Sequence, residues 1–174
     1  SGKSTLMLAL LGVLKARSGT IEIYGAPPMS RKLKGTIGWV SQAAANLPKD
    51  IRITVRELVR LGTINSANMF DLFDGGRRER VDNAIKMTGL ENVQDTDIAR
   101  LSGGQRQRAV IARALATEAD FILLDEPLVG IDRASRNSLL KLLDQLCHEE
   151  GKTILMVSHD LTAMRKTAHR MIFL

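Results

Sequence analysis

The chain has 174 residues, 44% of them hydrophobic, enough for one globular core and too little for two full domains. A net charge of +6 suits nucleotide phosphates, an acidic membrane surface or nucleic acid, but aromatics at 3% supply few rings for base-stacking platforms. The single cysteine, Cys147, cannot form an internal disulfide, no Cys/His cluster has zinc spacing, and no apolar run approaches the ~20 residues that span a bilayer. Such sparse cysteine fits a reducing compartment.

In chain order, Ser1-Gly2-Lys3-Ser4-Thr5 opens into apolar residues Leu6, Leu10, Leu11 and Leu14, whose spacing predicts a helix. Residues Thr20 to Tyr24 alternate and end at Gly25, the pattern of a short strand and turn. Thr36 to Val40 predicts a second strand leading into Ser41-Gln42, and Pro48 closes a loop. Thr54 and Glu57 form a T-x-x-E capping box that opens a helix running to about Leu61. A second helix is predicted from Arg77 to Thr88, stopped by Gly89. Residues from about 43 to 100 thus form a helical insertion between strands.

The apolar runs Phe121 to Leu124, Thr153 to Val157 and Met171 to Leu174 suit strands buried on both faces of a parallel sheet. Between the first two, a helix from about Arg133 to Glu150 carries the stripe Leu139, Leu142, Leu143, Leu146 and Cys147 and ends at Gly151. Strand–helix–strand order of this kind predicts an α/β fold, a mostly parallel sheet flanked by helices with right-handed crossovers.

Three stretches carry chemistry. Gly2-Lys3-Ser4-Thr5 matches the back half of the phosphate loop G-x-x-x-x-G-K-[ST], in which backbone N–H groups at a helix start face phosphate oxygens. There Lys3 reaches the β- and γ-phosphates and the Ser4 hydroxyl ligates Mg²⁺. Asp125 and Glu126 end an apolar strand where open α/β sheets bind ligands. Asp125 is expected to hold Mg²⁺ through water, and Glu126 to polarise the attacking water as general base. Leu101-Ser102-Gly103-Gly104-Gln105 precedes an alanine-rich helix; its glycines leave the backbone open for an anion, and Ser102 with Gln105 also reads as a helix cap.

That five-residue string resembles the signature sequence of ATP-binding-cassette (ABC) proteins, and the match is complete. The resemblance spans the whole chain as a single domain, 1–174, with a P-loop NTPase core and an inserted α-helical subdomain. It implies that Gln42 is the Q-loop glutamine, sensing Mg²⁺ and the attacking water. Asp132, closing Leu128-Val129-Gly130-Ile131-Asp132, is similar to the D-loop aspartate, and His159 to the switch histidine at the γ-phosphate. His148 and His169 have no such context and receive no role. The family's adenine-stacking aromatic lies upstream of the phosphate loop and is assigned to neither Tyr24 nor Trp39; both ends of the chain are expected to be truncated.

The resemblance further implies an ATPase using ATP and Mg²⁺. Two such domains would sandwich ATP, with Ser102 and Gly104 completing the Lys3 site of the other copy. The first reading is a transporter motor on the cytoplasmic face of the membrane, with a homodimeric partner, an integral membrane permease and an extracytoplasmic metal-binding protein, and no nucleic acid. Gly130-Ile131-Asp132 and the segment from Pro48-Lys49-Asp50 to Thr54-Val55-Arg56-Glu57-Leu58 resemble the zinc/manganese/iron importer branch. Ile51, Ile53, Val55, Leu58 and Val59 either line a docking groove for the permease or pack the insertion's own core. The rival class is a soluble cassette ATPase acting on DNA or ribosomes. The intact Asp125, Glu126 and His159 argue against a regulator without turnover.

Overall fold

The computed structural model describes residues 2–45, 52–64, 75–160, 165 and 168–172. Helix α1 (Lys3–Leu10) is followed by strand β1 (Ile37–Val40), helices α2 (Val55–Leu61), α3 (Gly76–Met87) and α4 (Gly103–Leu115), strand β2 (Phe121–Asp125), helix α5 (Arg133–His148) and strand β3 (Thr153–Val157). The strands form one parallel sheet in the order β1-β2-β3, with Val40 opposite Leu124 and Asp125 opposite Val157.

Because strand side chains alternate in direction, β2 divides its four apolar residues between two cores. Ile122 and Leu124 join Val40, Ile154, Met156 and the buried faces of α2 to α5. Phe121 and Leu123 join Met7 of α1 with Ile23, Ala26 and Leu33. Helices therefore cover one face heavily, while α1 and the 23–33 segment cover the other. Trp39, the only tryptophan, is 41% exposed on β1.

Local chemistry sets several boundaries. The Thr54 N–H donates to Glu57 Oε2 at 2.7 Å and the Glu57 N–H to Thr54 Oγ1 at 3.2 Å, the capping box expected at the start of α2. Gly89 and Gly151 take positive φ, +64° and +63°, just after α3 and α5, where side-chain-bearing residues are disfavoured. Arg56 ties α2 to α3 and its following turn through Asp82 at 2.6 Å and Gln94 at 2.5 Å.

The structure departs from several of these expectations and decides one that was left open. Helix α1 stops at Leu10, so Leu14 lies beyond it, and the residue it buries is Met7 rather than Leu6. Thr20 to Tyr24 forms no strand; only an isolated bridge pairs Ile23 with Ala26, because a tight turn around Tyr24 and Gly25, both at positive φ, folds the segment on itself. Met171 and Ile172 are not in a strand, Ile172 being largely exposed, and Phe173 and Leu174 lie outside the described residues. Cys147 is half-buried at the edge of the α5 stripe, its thiol pushed up by burial and then by the charge of Asp144. Val55, Leu58 and Val59 are fully buried among α3 and α4 and do not line a surface groove. Pro48, Lys49, Asp50 and Ile51 lie outside the described residues.

Among the described residues, the tightest approach to a glycine is at Gly62, at the end of α2. A Cβ there would sit 1.9 Å from the Arg113 carbonyl oxygen of α4, with backbone in ordinary right-handed geometry, so the glycine is required by proximity and not by φ. Gly62→Ala is expected to force α2 from α4 and destabilise the fold by at least about 2 kcal/mol, the scale of overpacking. Gly75→Ala, where a Cβ meets nothing within 4 Å, is the control. Chemical denaturation of both variants checks this; equal midpoints would refute it.

Candidate functional site

Parallel strands bring their carboxyl ends to one edge. At that edge β1 runs out through Ser41 into a 3-10 turn beginning at Gln42, β2 into Asp125 and Glu126, and β3 into Ser158 and His159. The alignment needs no contact among the motifs themselves; the sheet ladder supplies it.

Glu126 is the most constrained residue of the edge. Its φ is +51°, unusual for a residue with a side chain, and its N–H donates to the Val157 carbonyl at 2.9 Å, so the turn is held against β3. Such left-handed backbone at non-glycine positions costs about 1–2 kcal/mol and concentrates at functional sites. The Glu126 carboxylate lies 2.8 Å from His159 Nδ1. An ionised carboxylate only accepts, so Nδ1–H donates. Glu126 is 16% exposed and His159 69%, so the acid is sheltered while the imidazole faces outward.

A cavity of about 390 Å³ opens beside this pair, between Glu126, Gly130, Arg136, His159 and Asp160. Arg136, in the first turn of α5, donates to Asp160 at 2.5 Å and ties the residue after His159 to that helix. Sequence reading missed this pair: its members belong to no motif, and only the position of Asp160 directly after His159 hinted at it.

Asp125 sits at the last position of β2 beside Glu126. Burial, and then repulsion from Glu126, raise its carboxyl pKa above the ordinary aspartate range. An aspartate whose charge is disfavoured beside a second carboxylate suits a hard cation, so these residues fit Mg²⁺. Gly2, Lys3, Ser4 and Thr5 begin α1, with Gly2 as its N-cap and open space where a Gly2 side chain would lie. Exposed N–H groups at a helix start beside a lysine fit a phosphate. Ser1 lies outside the described residues.

Ser102 caps α4. Its hydroxyl accepts from the Gln105 N–H at 3.2 Å, and its own N–H donates to Gln105 Oε1 at 3.0 Å. Both glycines that follow meet the start of α5. A Cβ on Gly104 would fall 2.5 Å from Ser135 Cβ, and one on Gly103 would fall 3.3 Å from the Gly130 carbonyl. Gly104 is buried, whereas Ser102 and Gly103 are exposed. Asp132 caps α5 by accepting from the Ser135 N–H at 3.0 Å, and hydrogen bonds from Ser135 hold its carboxyl below the usual aspartate range. Thus the Ser102 turn and the Asp132 turn form one packed unit.

A raised Asp125 pKa means the folded protein binds that proton more tightly than the unfolded chain. Stability is therefore lost as pH rises from the ordinary aspartate value, about 3.9, through the raised folded value. In nucleotide-free, magnesium-free protein, Asp125→Asn is expected to raise Tm at pH 7, with the gain shrinking as pH falls towards 4. Thermal melts across that range check this; a gain independent of pH, or a loss at pH 7, would refute it.

Comparison with known proteins bears on the whole arrangement. Residues 1–129 match the family model described as ABC transporter. The zinc uptake system ATP-binding protein ZurA of Listeria innocua is 36% identical over 172 residues, covering 99% of this chain and 67% of its own length. The manganese transport system ATP-binding protein MntB of Halalkalibacterium halodurans is 37% identical, covering 100% of this chain and 68% of its own. Among solved structures, cbiO1 of Clostridium perfringens, part of the ABC transporter complex cbiONQ, superposes with a TM-score of 0.78 at 37% identity, over 91% of this chain and 63% of that one. The chain spans about two thirds of the length of these relatives. The shared architecture is the P-loop α/β fold, and the chain belongs to the ABC transporter family.

Proposed function

We propose that this chain binds and hydrolyses ATP as the motor of a transport system that imports a divalent metal ion, of the zinc, manganese or iron class. The hydrolytic reading is carried by the Glu126–His159 pair, a sheltered carboxylate on a strained turn held 2.8 Å from an outward imidazole. The metal reading is supported by relatives named for zinc uptake and manganese transport.

In this reading Gly2, Lys3, Ser4 and Thr5 hold the phosphates through the start of α1, with Lys3 at the β- and γ-phosphates. Ser4, Gln42 and Asp125 are the residues that would hold Mg²⁺, which when bound neutralises charge developing on the phosphate oxygens. Glu126 takes a proton from the water that attacks the γ-phosphorus while the bond to the ADP oxygen breaks. Phosphate oxygens only accept, so His159 reaches the γ-phosphate through Nε2–H while its Nδ1–H stays on Glu126, and one ring links base and phosphate. Ser102, Gly103, Gly104 and Gln105 of a second copy close the site in trans, the glycines through their backbone N–H groups because they carry no side chain. Asp132, packed with that turn, lies at the same interface.

The remaining partners follow from this role: a membrane permease that takes the force, and an extracytoplasmic metal-binding protein that delivers cargo. The motor would sit on the cytoplasmic face of the membrane. No helix among the described residues is long and apolar enough to cross it. Residues 43–100 form the helical insertion that engages the permease, with Gln42 reporting nucleotide state to it. Since Val55, Leu58 and Val59 are spent on the interior, engagement falls to exposed residues such as Ala43 and Leu61.

Two outcomes are expected. Glu126→Gln should retain ATP binding and lose steady-state turnover by about 10²–10⁴-fold, the usual scale for a positioned base; undiminished ATPase activity in a phosphate-release assay would reject the assignment. Cysteines placed at Ala43 or Leu61 in a Cys147→Ser background should crosslink to the membrane subunit, with a yield that changes on adding nucleotide. Crosslinks only to ribosomal components or DNA would replace the transporter reading with a soluble cassette ATPase.

A further inference from the structure

The end of α5 carries a cluster that no part of the nucleotide chemistry uses. Asp144, His148 and His169 each offer one ligand atom, all within 4.8 Å of one another. Asp144 and His148 are one helical turn apart on α5, and His169 reaches them from the segment after the switch histidine. His148 Nδ1 lies 3.0 Å from the Asp144 carbonyl oxygen. A carbonyl only accepts, so Nδ1 carries the proton, and the neutral ring presents its Nε2 lone pair. That Nε2 faces His169 Nε2 at 3.3 Å. The rings are tilted by 57° with centroids 5.0 Å apart.

We propose that Asp144, His148 and His169 form a binding site for a divalent transition metal ion of the zinc class, separate from the magnesium–nucleotide site. The nitrogen spacing is the first reason. Two ligands about 2.0–2.1 Å from a tetrahedral ion stand roughly 3.3–3.4 Å apart, the separation of the two Nε2 atoms. The second is the pinned tautomer: metal-binding imidazoles hold their other ring N–H on a carbonyl or carboxylate, and His148 already does so. The third is charge. The site lies at the carboxyl end of a helix, beside Asp144 and followed by Glu149 and Glu150, where a cation is favoured. Two imidazoles with one carboxylate select zinc-like ions over magnesium or calcium, which take oxygen ligands. Waters would complete the coordination of this half-exposed site. Helix α5 has 16 residues, so the ion would sit roughly 24 Å along its axis from the Asp132 turn.

The test is zinc titration of the purified protein, free of nucleotide and magnesium, against a chromogenic chelator. Expected is one zinc per chain, undisturbed by millimolar magnesium and retained in Cys147→Ser. His148→Gln and His169→Gln should each weaken binding at least about tenfold. Both histidines are exposed, so these variants should match the parent in zinc-free thermal melts, which separates ligand loss from misfolding. No zinc uptake by the parent would overturn the proposal and leave an ordinary imidazole–imidazole hydrogen bond. Undiminished binding in the two histidine variants, or binding abolished by Cys147→Ser alone, would overturn it too. Because ATP is absent throughout, the result stands apart from whether the ATPase assignment holds.

Discussion

Strand Phe121–Asp125 runs parallel to its neighbours on both sides, and parallel strands must all end at the same edge. That geometric constraint gathers Gln42, Asp125, Glu126 and His159 from stretches of chain far apart in sequence. It also imposes the composition of the strand. A strand with helices on both faces has no polar side, so Phe121, Ile122, Leu123 and Leu124 are all apolar, and the first charged residues come where the sheet runs out.

At that edge, stability and chemistry pull in opposite directions. Asp125 is held partly from water next to another carboxylate, and Glu126 adopts a backbone conformation that side chains avoid. Neither feature helps the chain fold. The surrounding elements hold them in place: the Val157 carbonyl receives the Glu126 N–H, and the Arg136–Asp160 ion pair holds the residue next to His159. The Ser102 and Asp132 caps do similar work on the neighbouring helices. Each satisfies helix N–H groups that would otherwise lack partners, and Gly103 and Gly104 after Ser102 let that turn pack closely against the Asp132 turn and α5.

Features with local causes were legible in the sequence. The Thr54–Glu57 and Ser102–Gln105 boxes are three-residue patterns, and Gly89 and Gly151 mark helix ends by their own backbone preference. Strand β2 could be read because a parallel strand buried on both faces leaves a continuous apolar run; β1 and β3, more exposed, were read from shorter apolar stretches. What escaped depended on distant partners. Which residue of α1 is buried depends on Phe121 and Leu123, and that residue is Met7, not the leucines whose spacing suggested a longer helix; the helix itself ends locally, before Gly12 at φ +74°. The apolar face of α2 carried no label saying whether it met a permease or α4. Catalytic residues were legible through motif strings. The Arg136–Asp160 pair and the meeting of His148 with His169 were not, since each joins residues more than twenty positions apart with no pattern around them.

Trp39 lies on β1, and β1 pairs only with β2 among the described strands, Ile37 meeting Phe121 across a long intervening stretch of chain. Non-local parallel pairing of this kind is slow, because the loop must close before the contacts reward it. The lone indole therefore enters its native surroundings only when that closure occurs, while α2 and α3 can gather helical content beforehand from local contacts. In refolding, the tryptophan emission would trail the far-ultraviolet circular dichroism, marking the docking of β1 as a separate kinetic event.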